Sequence, residues 1–133
     1  MFLDPFHAYV YKIYGTSFCV NVTSETKGEG AAVLVRALEP LEGLRLMEER
    51  RNTTRVRDLC RGPGRLCQAL AIDFALDGVF LLEDAQLWLA AAPASAVRVG
   101  KSRRIGITKA SERVLRFYER GNPFVSGPKA LSP

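Results

Sequence analysis

The sequence predicts an α+β fold with more strand than helix, arranged as one domain over residues 1–126 with a flexible tail at 127–133. Apolar and polar residues alternate over 8–14 and 18–22, which is the pattern of half-buried strands. The apolar run at 31–35 is typical of a buried strand. Shorter stretches at 44–51 and 65–72 have the apolar spacing of helices. A chain of 133 residues is long enough to bury one core.

The net charge and the hydropathy of the sequence indicate which kinds of partner to expect. The net charge is +5, from 19 Lys and Arg against 14 Asp and Glu, and this basic balance favours a polyanion. No apolar run is long enough to cross a bilayer, and the first residues lack the pattern of a signal peptide, so we expect no membrane partner. The 3 cysteines are an odd number and, without a signal, predict reduced thiols in a cytosolic compartment.

The first two strands form a predicted hairpin. Tyr14-Gly15-Thr16-Ser17 reads as its turn, because Gly15 tolerates a positive φ and small polar residues follow it. This places Tyr14 near the tip and partly exposed. Tyr9 is expected in the core, as aromatic residues in strands usually are.

Two polar residues, Asn21 and Arg36, interrupt or end otherwise apolar strands. In an antiparallel pair the numbers of opposite residues have a constant sum. If that sum is odd (an odd-sum register), as with residue 22 opposite 31, Asn21 and Arg36 would lie on one face of the sheet. A charge beside a buried strand needs a partner or a polar cleft. We therefore expect a functional cleft here, although the sequence does not fix the register.

The second half of the chain predicts further short strands. Their ranges are 79–82, 86–89, 97–99, 105–107 and 116–118, with a loop around Pro93. Basic residues cluster between 45 and 65 and again between 101 and 109.

Other kinds of site are poorly supported. Cys60 and Cys67 lack the paired ligand spacing of zinc, so we expect no metal. His7 is the one histidine, and a nucleophile elbow is absent from the sequence. The Gly62-Pro63-Gly64-Arg65 stretch is a candidate phosphate grip at a helix N-terminus, and an ordinary loop before a helix is an equal alternative.

Six blocks of the sequence resemble the alkyladenine (3-methyladenine) DNA glycosylases. They run in order over nearly the whole chain, and they include Tyr11-Lys12-Ile13-Tyr14-Gly15 and Cys19-Val20-Asn21-Val22. Their ranges are 8–15, 19–22, 32–40, 62–72, 104–107 and 116–126. The resemblance implies a mixed domain around a curved antiparallel sheet, like the C-terminal domain of formyltransferases. It also implies a base-excision repair enzyme that removes alkylated or deaminated purines from double-stranded DNA without metal or organic cofactor.

The same resemblance implies roles for single residues. Tyr14 would enter the minor groove and fill the gap left by a flipped nucleotide, with Gly15 and Thr16 beside it. Tyr11 would stack on the flipped base, and Asn21 would disfavour the exocyclic amine of guanine. Arg36 would hold a phosphate and help orient the attacking water. The remaining predicted DNA contacts are Gly62, Gly64, Arg65, Lys101 and Arg103.

One departure from the family concerns its catalytic glutamate, which precedes the tyrosine hairpin. Glu25 and Glu29 follow that hairpin, and His7 does not match the family histidine. Residues 1–5, Met-Phe-Leu-Asp-Pro, resemble an internal family motif, so we expect the domain to be N-terminally incomplete. An internal methionine taken as the start is the favoured explanation, and a truncated gene is the alternative. We expect this chain to lack hydrolytic activity for want of its general base.

These observations favour a monomeric DNA glycosylase, nucleoid-associated in the cytoplasm of a bacterium or nuclear in a eukaryote. Two alternatives remain. The first is a non-catalytic module that binds distorted duplex DNA. The second is a formyltransferase-like domain of other function, which would show no salt-dependent affinity for DNA.

Overall fold

The computed structural model describes residues 1–92 and 96–128, and these form two antiparallel sheets with short helices. The first sheet has the order β1-β2-β3, with β1 at Ala8–Ile13, β2 at Ser17–Thr23 and β3 at Ala32–Leu34. The second is a two-stranded ribbon of β4, Val99–Ser102, and β5, Arg116–Glu119. The α+β class with antiparallel sheets is confirmed.

Two α-helices and two 3-10 turns connect the sheets. Helix α1 spans Leu44–Arg51, the predicted range, and α2 spans Pro63–Leu70, two residues earlier than predicted. Pro63 supplies the fixed φ that suits a first helical turn, and Ala71 ends the helix in the left-handed conformation. The 3-10 turns lie at Val56–Asp58 and Phe74–Leu76.

The core lies between α2 and one face of the first sheet. Ala8, Val10 and Val20 line that face because the period of two brings alternate residues of each strand to the same side. Helix α2 meets them with side chains that are also buried: Leu66, Cys67 and Ala69. Leu59 and Leu81 also belong to the core. The opposite face of the sheet, which carries Tyr9 and Asn21, points away from this core.

Several predicted strands are wrong. Residues 79–82 contribute only an isolated bridge between Phe80 and His7, and 86–89 form no strand. The reason is local, because the Asp84 carboxylate accepts hydrogen bonds from the amides of Gln86 and Leu87 and bends the chain. The predicted strand at 105–107 is absent because Gly106 has a φ of 74°. Strand β4 starts at Val99, where the predicted 97–99 strand ends.

Two predictions about burial are also wrong. Tyr9 is half-buried outside the core, because its pairing with Asn21 turns it to the opposite face of the sheet. Val33 is 61% exposed, since β3 is the outer strand of the sheet and lies at its margin. Two predictions fall on residues outside the described ranges. They are the loop around Pro93 and the part of the predicted 127–133 tail that follows residue 128.

Candidate nucleic-acid interface

The strand register gathers polar and aromatic side chains on the sheet face that points away from the core. Tyr9 pairs with Asn21 and Tyr11 with Cys19, so all of them share this side. Asn21 pairs in turn with Leu34, and Arg36 follows two residues later. We call Tyr9, Tyr11, Cys19, Asn21 and Arg36 the tyrosine face.

The two tyrosines form an aromatic surface. The ring centroids of Tyr9 and Tyr11 lie 5.4 Å apart with 36° between the ring planes. Burial raises the pKa of Tyr11, the nearby Cys19 thiol raises it further, and the Arg36 guanidinium acts in the opposite direction. Burial likewise raises the pKa of Cys19, against the influence of Tyr11 and Arg36. The three side chains are therefore close enough to affect one another's charge.

Asn21 is held in the same face. Its side-chain Nδ2 donates a hydrogen bond to the main-chain carbonyl oxygen of Tyr9 at 3.1 Å, and the residue is only 6% exposed. A buried amide with one fixed bond presents its remaining donor and acceptor in a set direction. Such a group can distinguish between bases by their hydrogen-bonding edges.

Arg36 lies just beyond β3, where pairing with β2 continues because the Val35 amide donates to the Val20 carbonyl at 3.1 Å. The register that the sequence left open is an odd-sum one, with Val33 rather than residue 31 opposite Val22, so Asn21 and Arg36 lie on one face. Arg36 is half-buried and makes no hydrogen bond or salt bridge to any described residue, and its Nε is withdrawn from water. An unpaired cation in such a place is a candidate for an anionic ligand.

The hairpin turn holds Tyr14 away from the protein. Tyr14 is 94% exposed and has a φ of 49°, and Gly15 follows with a φ of 72°. A left-handed conformation is strained for a bulky residue by about 1–3 kcal/mol. The positive φ of Gly15 is as predicted, and that of Tyr14 was missed. The turn closes the hairpin, but a ring this exposed adds almost no burial to the fold.

The N-terminus of α2 lies beside this hairpin. A Cβ on Gly64 would stand 3.2 Å from the Cβ of Ser17, the first residue of β2. Gly62 precedes the helix without a side-chain cap, and Arg65 is exposed in its first turn. Free helical amides with a nearby arginine suit a phosphate, so this end of α2 and the Tyr14 turn belong to one surface.

The other predicted contacts lie on different elements. Lys101 is exposed on β4, with its Nζ 5.6 Å from the centroid of the Phe117 ring, and Arg103 is exposed just after that strand. Thr16 is exposed in the Tyr14 turn. The geometry thus brings Tyr11, Asn21 and Arg36 together and leaves Lys101 and Arg103 on the ribbon.

Much of the basic middle segment stabilises the fold. Arg50 donates to the Ala69 carbonyl at 2.9 Å, and Arg51 donates to the Leu59 carbonyl at 3.1 Å. Arg61 reaches the Val125 carbonyl at 2.9 Å. These acceptors are distant in sequence, so a charge count could not separate structural arginines from those available to a ligand.

The described residues contain neither a cluster of three or more His, Cys, Asp and Glu side chains able to hold a metal ion nor a helix suited to crossing a membrane. Cys19, Cys60 and Cys67 are buried free thiols.

The fold and the tyrosine face define a class of protein: an α+β domain that presents stacking rings, an oriented amide and an unpaired cation on one sheet face, a combination suited to nucleotides. The family model for methylpurine-DNA glycosylase matches residues 1–123. The chain belongs to this family.

Individual relatives agree. A protein of Mesorhizobium japonicum named "Putative 3-methyladenine DNA glycosylase" is 53% identical over 98% of this chain and 63% of its own length. The DNA-3-methyladenine glycosylase of mouse is 48% identical over 95% of this chain and 42% of its own length. The human DNA-3-methyladenine glycosylase is 46% identical over 95% of this chain and 46% of its own length. The chain thus spans between two fifths and two thirds of the length of these relatives.

Proposed function

We propose that this chain carries the lesion-recognition surface of a DNA glycosylase of base-excision repair, which selects alkylated or deaminated purines such as 3-methyladenine and hypoxanthine. Support comes from the family match and from the names of the relatives. The observation that carries the proposal is the Tyr14 turn, where a fully displayed ring occupies a strained backbone. Strain of this kind is retained where a ligand uses it.

Tyr14 enters the minor groove and fills the space of an extruded nucleotide. Flipping a base costs a few kcal/mol of stacking, and least for a damaged or mispaired base. An inserted ring recovers part of this cost. Because flipping costs least at a lesion, insertion of Tyr14 makes the chain bind a damaged duplex more tightly than an intact one.

The tyrosine face receives the flipped base. Tyr11 stacks on it, a contact worth about 1–3 kcal/mol for any base. Asn21, held by its bond to the Tyr9 carbonyl, crowds the position of the exocyclic amine of guanine and so disfavours the normal base. Arg36 holds the phosphate of the flipped nucleotide and helps orient a water molecule.

Phosphate contacts outside this face position the duplex without reading its sequence. Gly62, Gly64 and Arg65 lie at the amide end of α2 beside the hairpin, while Lys101 and Arg103 extend the basic surface along the ribbon. The fold that carries them is a curved antiparallel sheet of the formyltransferase C-terminal type, with which the β1-β2-β3 sheet is compatible.

This chain binds damaged duplex without releasing the base. Hydrolysis needs a carboxylate to activate water, and a general base typically contributes about 10²–10⁴-fold. None of the groups that shift the pKa of Tyr11 or Cys19 is a carboxylate. Within the described residues no carboxylate lies within 4 Å of Arg36.

The chain acts as a monomer, and light scattering of the free protein and of its DNA complex checks this.

Fluorescence anisotropy with matched duplexes, one containing hypoxanthine and one intact, tests the proposal. Wild type should prefer the damaged duplex, and Tyr14→Ala should lose roughly 5- to 150-fold of this preference, equivalent to about 1–3 kcal/mol of stacking. Trp88→Ala, which removes another exposed aromatic ring, should leave it intact. Equal preference in wild type and Tyr14→Ala would refute the role of the turn. Release of hypoxanthine would refute the lack of a general base.

A further inference from the structure

A cleft lies between the end of β3 and strand β5 of the ribbon. Its volume is about 660 Å³, and both Arg36 and Arg116 line it. Arg116 lies in β5 and is only 6% exposed. The Nε atoms of both arginines are buried without a hydrogen-bond partner among the described residues. Two arginine side chains therefore line one cleft, and the Nε donor of each is buried without a partner among the described residues.

The cleft does not neutralise them. Burial lowers the pKa of Arg116, and the nearby charge of Arg36 lowers it further, so the two cations repel each other. Glu39 and Glu119 also line the cleft, and each accepts a hydrogen bond from the Asn122 amide instead of pairing with an arginine there. Among described residues, no carboxylate lies within 4 Å of Arg36 or Arg116. Paired cations without a counterion are costly to bury.

The backbone fixes the position of Arg116. Its Nη2 donates to the Ser126 carbonyl, and a Cβ on Gly127 would stand 3.2 Å from the same nitrogen. Arg61 holds the same segment, with its Nε donating to the Val125 carbonyl at 2.9 Å and its Nη2 to the Gly127 carbonyl at 3.3 Å. The guanidinium is thus set in place before any ligand arrives.

We propose that Arg36 and Arg116 form one phosphate site, in which a single phosphodiester group of DNA is bound between the two guanidiniums. The planar fork of arginine matches phosphate oxygens and forms strong charge-assisted bonds with them. A phosphate in the cleft accepts hydrogen bonds from the Nη groups, of which only the Arg116 Nη2 bonds to a described residue, and its charge offsets the repulsion between the cations. The proposal rests on the proposed function in one respect, namely that the ligand is part of DNA.

The salt dependence of duplex affinity tests the shared site. A variant that neutralises one phosphate fewer should depend less on salt. Between 50 and 200 mM salt, the fold-loss of its affinity should be smaller than the fold-loss of wild type by a factor of about 3.5. Arg36→Gln and Arg116→Gln should each show this change, and the double variant should show no more than either single one. A change twice as large in the double variant would mean two separate phosphates and would overturn the proposal. Wild-type salt dependence in Arg116→Gln would overturn it too.

Gly127→Ala moves Arg116 without changing any charge. The new methyl group would meet the Nη2 of Arg116 at 3.2 Å, and Gly127 has a φ of 104°. Gly121→Ala is the matched control, because Gly121 also has a positive φ, 79°, but a Cβ there would contact nothing within 4 Å. Gly127→Ala should lower duplex affinity at a fixed salt concentration, because the guanidinium is displaced from its bonding position, and Gly121→Ala should keep the wild-type affinity. Equal behaviour of the two alanine variants would contradict the assigned position of Arg116.

Inorganic phosphate separates this proposal from the proposed function. Phosphate should raise the melting temperature of wild type above that in chloride of equal ionic strength, and Arg36→Gln and Arg116→Gln should abolish the difference. Arg116→Lys, which keeps the charge but lacks the fork, should recover only part of it. If wild type binds no DNA, the proposed function fails, and the phosphate shift still decides whether the site exists. A phosphate shift with unchanged DNA salt dependence in both Gln variants would assign the site to free phosphate and refute the DNA ligand.

Discussion

Asn21 donates a hydrogen bond from its Nδ2 to the main-chain carbonyl oxygen of Tyr9 at 3.1 Å, across the strand pair in which the two residues face each other. The Tyr9 ring in turn packs against the Tyr11 ring. A single bond thus fixes the amide relative to the strand that carries both rings. The proposed base selection depends on this fixed direction, since a rotating amide would present donor and acceptor equally.

The first prediction concerns that bond. Asn21→Ala removes it and should lower the free energy of unfolding by about 0.5–1.5 kcal/mol. Asn21→Asp keeps the shape but places a carboxylate oxygen against the Tyr9 carbonyl, so it should be less stable than Asn21→Ala at pH 7. Urea unfolding measures both.

A pH series provides the control for Asn21→Asp. The protonated acid can donate to the Tyr9 carbonyl, and a carboxylate placed against that carbonyl has a raised pKa in the folded state, so the deficit should shrink as the pH falls towards the unfolded value of about 3.9. Equal stability of Asn21→Asp and Asn21→Ala at pH 7 would contradict the observed direction of the amide.

The second prediction concerns Gly64, at the end of α2 beside the hairpin. Alanine is normally favoured over glycine in a helix by about 1 kcal/mol. Here the new Cβ would stand 3.2 Å from the Ser17 Cβ and 3.4 Å from its Oγ, and overpacking of this kind costs about 1–3 kcal/mol. Gly64→Ala should therefore lower the melting temperature and weaken DNA binding, because α2 must move away from β2.

Ser17→Gly combined with Gly64→Ala tests the cause. Removing the Ser17 side chain clears the contact, so the double variant should recover the melting temperature lost by Gly64→Ala. A Gly64→Ala variant more stable than wild type would show that α2 can shift freely against the hairpin.

Local patterns were enough to predict the part of the fold that carries the tyrosine face. Alternation defined β1 and β2, Gly15 marked the turn between them, and the bounds of α1 were as predicted. Each of these signals lies within a few residues of the structure that it specifies. The register of β2 and β3 was not fixed by the sequence, and the structure shows the odd-sum case in which Asn21 and Arg36 share a face.

Long-range contacts determined what was missed. Arg61 binds the Val125 carbonyl, 64 residues away, so nothing in its own segment distinguishes it from a DNA-binding arginine. Tyr9 was assigned to the core because the pattern of one strand gives two faces without saying which is covered. Arg116 carried a usable signal, since a charge between Leu115 and Phe117 in a strand raises the same question as Arg36.

The last prediction concerns pH and the Cys67 thiol in α2, which is buried in the core. Burial raises its pKa from 9.0 to about 11, the nearby Cys19 thiol adds to this, and a hydrogen bond with the Val20 backbone opposes it. A raised thiol pKa means that the folded state favours the neutral form. The stability from this thiol is therefore complete below about pH 9 and is lost as the pH rises towards about 11.

Cys67→Ala should reveal this dependence. Deleting a small buried group costs about 0.5–1.5 kcal/mol, so the variant should be less stable than wild type at pH 7. The difference between the two should narrow as the pH rises from 9 to 10.5, because only wild type loses the contribution of the neutral thiol. Guanidinium unfolding at each pH measures the difference in stability, in which the effects of Cys60 and Tyr11 largely cancel because neither shifts the pKa of Cys67. A difference that stays constant over this range would show that the folded thiol ionises as readily as the unfolded one.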